Sequence, residues 1–166
     1  MKQVILFAFL GLFLSCDDGD LQIETLNFDD SAIDFCGTVT TGSQVFFKIN
    51  GDEALILTLE EGILKNEVSD GNIESAIPGN SQITYRIFSA NVSNSYFCGN
   101  IPPTTPTVID EIGAIDGVVL VNTILLEDGV TYQHTIQLSE ISLVNDDGSR
   151  ITDLSINDFG VVTTTE

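Results

Sequence analysis

The sequence predicts an all-β protein, and three observations favour an antiparallel β-sandwich of immunoglobulin-like architecture with about eight or nine strands. Apolar and polar residues alternate along short segments, as in strands that turn one face to a core. Turn-forming residues separate these segments at the spacing typical of sandwiches and barrels. Sustained helical periodicity is absent, and residues 60–69 are expected to form at most a turn or two. Because the chain has no tryptophan, the likeness to immunoglobulin domains is architectural only.

The first half of the chain predicts a series of short strands around one hairpin. Alternation occurs over residues 21–28, 33–40 and 82–88. Between them, Asn50-Gly51 separates an alternating segment from an apolar one, and this dipeptide favours the type I′ turn of a two-residue hairpin. The expected register places Lys48 opposite Glu53 on the solvent side.

The second half predicts a longer hairpin and two closing strands. Residues 117–126 and 130–144 alternate and are joined by Glu127-Asp128-Gly129. A polar turn over residues 145–149 leads to two further strands at 151–156 and 159–164.

Residues 101–107 contain three prolines, which cannot lie in a central strand. The segment is either a linker between two small domains or a crossover between the sheets of one sandwich. Because each half would be thin for an independent core, one domain over residues 21–166 with an internal break at 101–107 is expected.

Composition excludes several classes of protein. The chain has 166 residues with 25 acidic and 5 basic side chains, a formal net charge of −20. Such a surface repels nucleic acid and anionic membranes, which are therefore not expected as partners. The hydrophobic content of 43% excludes a disordered chain.

The N-terminus predicts export. An apolar run of eleven residues, 4–14, follows Lys2 and is shorter than the ~20 residues that a membrane-spanning helix needs. Phe13-Leu14-Ser15-Cys16 resembles the lipobox of bacterial lipoproteins, especially the looser form of Bacteroidota. The resemblance implies that residues 1–15 are a signal peptide, that Cys16 is acylated, and that the lipid anchors the protein to a membrane.

Acidic residues follow the proposed anchor directly. Asp17, Asp18 and Asp20 resemble the signal that sends Bacteroidota lipoproteins to the cell surface, so residues 16–20 are expected to be an acidic tether on the outer membrane. In other Gram-negative lineages, aspartate at this place retains a lipoprotein at the inner membrane. A plain solvated tether is the third alternative.

Three longer stretches are similar to uncharacterised flavobacterial lipoproteins. They are FKINGDEALILTL, YFCGNIPPTTPTV and the late NDDGS turn. The likeness implies no activity for this chain.

The cysteine count agrees with export. With Cys16 acylated, Cys36 and Cys98 remain as an even pair, and an exported compartment allows a disulfide between them. Two buried free thiols or half of a metal site are the alternatives, and the single histidine argues against the metal site.

His134 is the main candidate for chemistry. It shares the apolar face of its segment with Tyr132, and the apolar phase then shifts, which predicts a bulge near Ser139 and Glu140. A hydrogen-bonded structural histidine is expected here, and a catalytic base is the alternative. Motifs for a nucleophile elbow, a zinc protease or a phosphate loop are absent from the sequence.

Two further sites are suggested by short patterns. The oxygen-rich turn over residues 145–149 is a candidate calcium site, with Asn145, Asp146, Asp147 and Ser149 as ligands. The turn does not have the spacing of an EF-hand, so a plain turn without any cofactor is expected. Asp30-Ser31-Ala32 resembles the O-glycosylation pattern of Bacteroidota exported proteins, which makes Ser31 the acceptor.

These observations predict a lipid-anchored, non-catalytic binding or structural module with a protein or glycan partner. Phe46 and Phe88 are candidates for an exposed aromatic patch, because each faces away from the main apolar set of its strand. The alternative is an extracellular hydrolase or glycan-active accessory protein that uses His134.

Overall fold

The computed structural model describes residues 26–101, 103–145, 148 and 150–166. These residues form seven strands and one short helix: β1 (Val45–Asn50), β2 (Glu53–Thr58), β3 (Ile73–Ile77), β4 (Gln82–Phe88), α1 (Asn94–Cys98), β5 (Val108–Leu125), β6 (Thr131–Val144) and β7 (Arg150–Thr165). All the paired strands are antiparallel, which confirms the all-β prediction. Within the same ranges no helix has the length and apolar character needed to cross a membrane.

The strands form one sheet in the order β1-β2-β4-β5-β6-β7, with β3 paired to β5 off this path. The 18-residue strand β5 connects the two halves of the sheet. Its first part pairs with β4, and its second part lies between β3 and β6. The predicted hairpin of β5 and β6 is present, and β6 matches its predicted bounds closely, but β5 begins at Val108, nine residues before the predicted start at 117. The two predicted closing strands are the single strand β7.

The predicted hairpin of β1 and β2 is confirmed, but its predicted register is wrong. Asn50 pairs with Glu53, so the two turn residues are Gly51 and Asp52. Gly51 alone has a positive φ, +64°. Because the turn lies one residue further along the chain, each pairing moves by two residues, and Lys48 lies opposite Leu55 instead of Glu53.

Both faces of β1 and β2 are buried, which corrects the predicted exposed patch. Phe46 is fully buried in the main core and Phe88 is 1% exposed. Helix α1 covers the second face of the sheet, where Phe97 stacks on Phe47 with ring centroids 4.3 Å apart and Tyr96 meets Phe88 edge-on at 4.9 Å. Helical periodicity could not predict this cover, because α1 has only five residues.

The segment ahead of β1 is mostly irregular. Residues 33–40 were predicted to form a strand, but they make only a single bridge, between Asp34 and Phe47. The chain leaves the sheet soon afterwards, where Gly37 has a φ of +74°. Conversely, β3 was not predicted, because its five residues are too few to show an alternation.

The disulfide between Cys36 and Cys98 is present, as predicted, with the two Cα atoms 5.2 Å apart. It joins the irregular segment to the last residue of α1. The proline-containing segment that follows connects α1 to β5, and the Ser89 amide donates to the Thr107 carbonyl at 2.8 Å. Since β4 and β5 are hydrogen-bonded neighbours, the segment does not cross between sheets.

The predicted bulge at Ser139 and Glu140 is confirmed by a register shift between β6 and β7, and Glu140 has a φ of +57°. A second irregularity lies in β5, where Gly117 has a φ of +141°. A Cβ atom on Gly117 would lie 2.6 Å from Ile141 Cδ1 and 3.3 Å from the Ser139 carbonyl oxygen. Glycine is therefore required by both backbone and space.

We expect Gly117→Ala to lower the free energy of unfolding by about 2 kcal/mol, measured by urea denaturation. Gly129→Ala is the matched control, because Gly129 also has a positive φ, +74°, but no atom within 4 Å of the added Cβ. The control should lose about 1 kcal/mol. Equal losses of unfolding free energy in the two variants would show that the contact with Ile141 does not affect stability.

Candidate functional site

Several predicted sites lie outside the described residues. These are the signal peptide, the acidic tether and the lipid-bearing residue, namely Cys16, Asp17, Asp18 and Asp20. Most of the candidate calcium ligands, Asp146, Asp147 and Ser149, also lie outside them. In the part of the chain that is described, no group of three histidine, cysteine or acidic residues is placed to hold a metal ion. The anchor, the export signal and the calcium site stay predictions.

The hydroxyl of Ser31 is engaged in the fold. Its Oγ donates a hydrogen bond to the Ile49 carbonyl oxygen at 2.8 Å. A glycan on Oγ would replace the hydrogen that is donated, so the bond would be lost. Glycosylation of Ser31 therefore stays a prediction that carries a structural cost.

His134 lies on β6 at the centre of a buried polar chain, and its side chain is 0% exposed. The ring Nδ1 is 2.8 Å from Thr123 Oγ1 on β5, and Nε2 is 2.9 Å from Thr164 Oγ1 on β7. Both threonines are buried, with 1% and 2% exposure. The two neighbouring strands thus supply one partner each for the two ring nitrogens.

The hydrogen-bond donors fix the tautomer of this ring. Asn66 Nδ2 donates to the Thr165 carbonyl, which leaves Asn66 Oδ1 to accept from Thr164 Oγ1 at 2.5 Å. Thr164 Oγ1 must then accept from Nε2–H, and Nδ1 accepts from Thr123 Oγ1. Burial lowers the pKa of His134 below its usual value, in keeping with a neutral ring.

Sequence reasoning placed His134 correctly on the apolar face. Its two nitrogens are occupied and its ring is enclosed, so it can accept a substrate proton only after Thr123 or Thr164 has moved. The arrangement fits the predicted structural histidine.

Sequence reasoning missed the side chain with the most unusual environment, Lys48. It is only 5% exposed, and Nζ donates to the Asp158 carbonyl oxygen at 3.3 Å. Nζ also lies 5.9 Å from the centre of the Phe159 ring, within the range of a cation–π contact. Burial lowers the pKa of Lys48, and the carboxylates of Asp29 and Asp158 offset part of this effect.

Lys48 lines a pocket of about 90 Å³. Three more polar side chains, Asp29, Asn157 and Asp158, border it. The rest of the lining is apolar: Leu26, Phe28, Leu55, Ile83, Leu138, Ile141 and Phe159. A space of this size holds several waters or one small organic group.

One signal in the sequence could have revealed the site. The stretch around the first hairpin, VFFKINGDEALILTL, is apolar at both even and odd positions, which is typical of strands covered on both faces. A lysine within such a stretch has no solvent side available. It must either reach a surface or enter a pocket.

Comparisons with protein-family models, with curated proteins and with solved structures found no match to this chain.

Proposed function

We propose that the protein is a non-catalytic binding domain, held on the outer membrane by a lipid on Cys16 and displayed at the cell surface, with the Lys48 pocket as its binding site. The observation that carries the binding part is a buried amine in a mostly apolar pocket that has a few further polar residues in its lining. Small-molecule sites typically combine an apolar lining with a few polar groups that orient the ligand. Lys48, Asp29 and Asp158 supply such groups here.

Binding is favoured over hydrolysis by the state of the candidate catalytic residue. His134 is hydrogen bonded at both nitrogens and is fully buried. The Lys48 pocket has no histidine in its lining. A hydrolase would need a general base from some other group, whereas a binding site needs only the donors and acceptors already present.

The sandwich architecture is part of this proposal. Support comes from the main core, which draws side chains from both halves of the sheet: Phe46, Leu57 and Ile83 from one half, and Val119, Ile136 and Leu143 from the other. A sheet whose two halves share one core can close upon itself as two facing layers. An antiparallel sandwich of immunoglobulin-like architecture is the specific form that we propose.

Export and anchoring are supported by the disulfide, which forms in oxidising compartments. They also agree with the net charge of −20, which keeps a tethered domain soluble. A protein or glycan partner at the surface is proposed, and nucleic acid is not.

The anchor is tested by metabolic labelling with a clickable fatty-acid analogue. The wild-type protein should take up the label and fractionate with the outer membrane. Cys16→Ala should lose both properties, because the substitution removes the thiol that carries the lipid. Cys36→Ala is the matched control and should keep the label. Label that persists on Cys16→Ala would contradict the anchor.

Surface display is read in the same cells by adding protease to intact and lysed samples. Wild-type protein should be cleaved in intact cells, whereas Asp17→Ala combined with Asp18→Ala should be protected until lysis. Equal cleavage of both proteins would exclude the acidic tether as the export signal.

A further inference from the structure

The geometry of the Lys48 pocket points to a ligand class: we propose that it takes the acetamido group of an N-acetylated sugar. This inference rests on the proposed binding function and makes it specific. Three properties of the pocket support it: the size, the hydrogen-bond donors and acceptors, and the charge.

Size limits what can enter. Pockets for complete drug-sized ligands usually measure about 300 Å³ or more, and this one measures about 90 Å³. A whole sugar ring is therefore too large to be enclosed, and only a substituent of a few heavy atoms fits. The acetamido group has four heavy atoms, with its methyl group at the tip.

The hydrogen-bonding groups match an amide. Among the described residues, Lys48 Nζ donates to one acceptor, the Asp158 carbonyl oxygen, although an ammonium group carries three N–H bonds. The carbonyl oxygen of an acetamido group can accept a hydrogen bond from a second of these N–H groups. Its N–H can donate to a carboxylate, for which Asp29 is available at the pocket. The methyl group then meets apolar side chains such as Leu55, Ile83 and Leu138.

Charge decides between a neutral group and an anion. One lysine and two aspartates border the pocket, so their formal charges leave it negative. A carboxylate or phosphate would gain from Lys48 but would be repelled by Asp29 and Asp158. A neutral amide avoids that repulsion while keeping both hydrogen bonds.

A sugar is favoured over an acetylated peptide because of what lies outside the pocket. The neighbouring side chains of Asp29 and Asp30 are exposed, and carboxylates accept hydrogen bonds from sugar hydroxyls. The ring would rest on this acidic surface while its acetamido group enters the pocket. A peptide carries no comparable row of hydroxyl donors.

The test is an NMR titration of the purified, isotope-labelled protein with N-acetylglucosamine. Amide shifts should move at the pocket, at Leu55, Ile83 and Phe159, and glucose, which has the same ring without the acetamido group, should not move them. Lys48→Met should weaken binding about tenfold or more, because a buried acceptor loses its donor. Lys65→Met is the matched control, since Lys65 is exposed, and should bind like the wild type.

Other outcomes separate this inference from the proposed function. Saturable binding of acetate that depends on Lys48, with none of N-acetylglucosamine, would overturn the acetamido assignment and leave the binding function standing. Tighter binding of an acetyl-lysine peptide than of the sugar would overturn the choice of a glycan. If none of these probes shifts an amide at the pocket, the inference is overturned. The comparison with glucose uses wild-type protein only and remains decisive if Lys48→Met fails to fold.

Discussion

Replacing both Cys36 and Cys98 with alanine is expected to lower the free energy of unfolding by about 4 kcal/mol. The disulfide closes a loop with a sequence separation of 62 residues, and cross-linking removes much of the conformational freedom of the unfolded chain. A loss of this size is a large share of the stability of an ordinary domain. Urea denaturation of wild type and variant, followed by far-UV circular dichroism, measures it.

A second effect should be local. The disulfide ends α1, and this helix is otherwise held by the contacts of Tyr96 and Phe97 with Phe47 and Phe88. Hydrogen exchange at the amides of α1 should therefore accelerate more than exchange in β6. The wild-type protein treated with a reductant is the matched control and should show the same pattern. A loss below about 1 kcal/mol, or uniform acceleration, would contradict the role given to the disulfide.

The hairpin of β1 and β2 shows how much of the fold local sequence patterns can predict. Gly51 and the apolar alternation predicted β1 and β2, because turn chemistry and side-chain period are short-range properties. The predicted register is wrong because Asn50 still pairs in the strand and the two turn residues are Gly51 and Asp52. The partner of Lys48 is therefore Leu55 instead of Glu53, and Lys48 is buried rather than on the solvent side.

The face of the sheet that α1 covers shows what local sequence patterns cannot predict. Phe88 was expected to be exposed, because it faces away from the main apolar set of its strand and an antiparallel sheet can leave one face to water. It is buried because α1 lies over it, and α1 has no helical period to recognise. Only the pairing of Cys36 with Cys98 hinted that the segment near residue 98 returns to the sheet.

Two of the buried titratable groups, His134 and Lys48, differ in the same way. His134 and its bulge were predicted because the information lies within ten residues of one strand. Lys48 was not, because its acceptor on Asp158 lies 110 residues away in sequence. The pocket is lined by residues of β1, β2, β4, β6 and β7 and of the segment before β1, and no local period encodes their approach.

Replacing His134 with leucine is expected to lower the free energy of unfolding by about 3 kcal/mol at pH 7. Leucine has a similar volume, so the core stays filled, but Thr123 and Thr164 each lose a buried hydrogen-bond partner. Each such loss costs about 1 to 3 kcal/mol. Urea denaturation measures the difference, and an unchanged midpoint would show that the polar chain contributes nothing to stability.

The same variant should remove a dependence on pH. In the wild type the pKa of His134 is lowered from 6.5 by burial, so below pH 6.5 the unfolded chain binds a proton that the folded chain does not. The contribution is complete above pH 6.5 and is lost as the pH falls toward the folded pKa. Wild-type stability should therefore decline as the pH falls below about 6.5, by up to about 1.4 kcal/mol per pH unit. Thr123→Val is the matched control: it breaks the polar chain but keeps the histidine and should keep the slope. Equal slopes in His134→Leu and the wild type would mean that another group titrates, because leucine has no proton to gain.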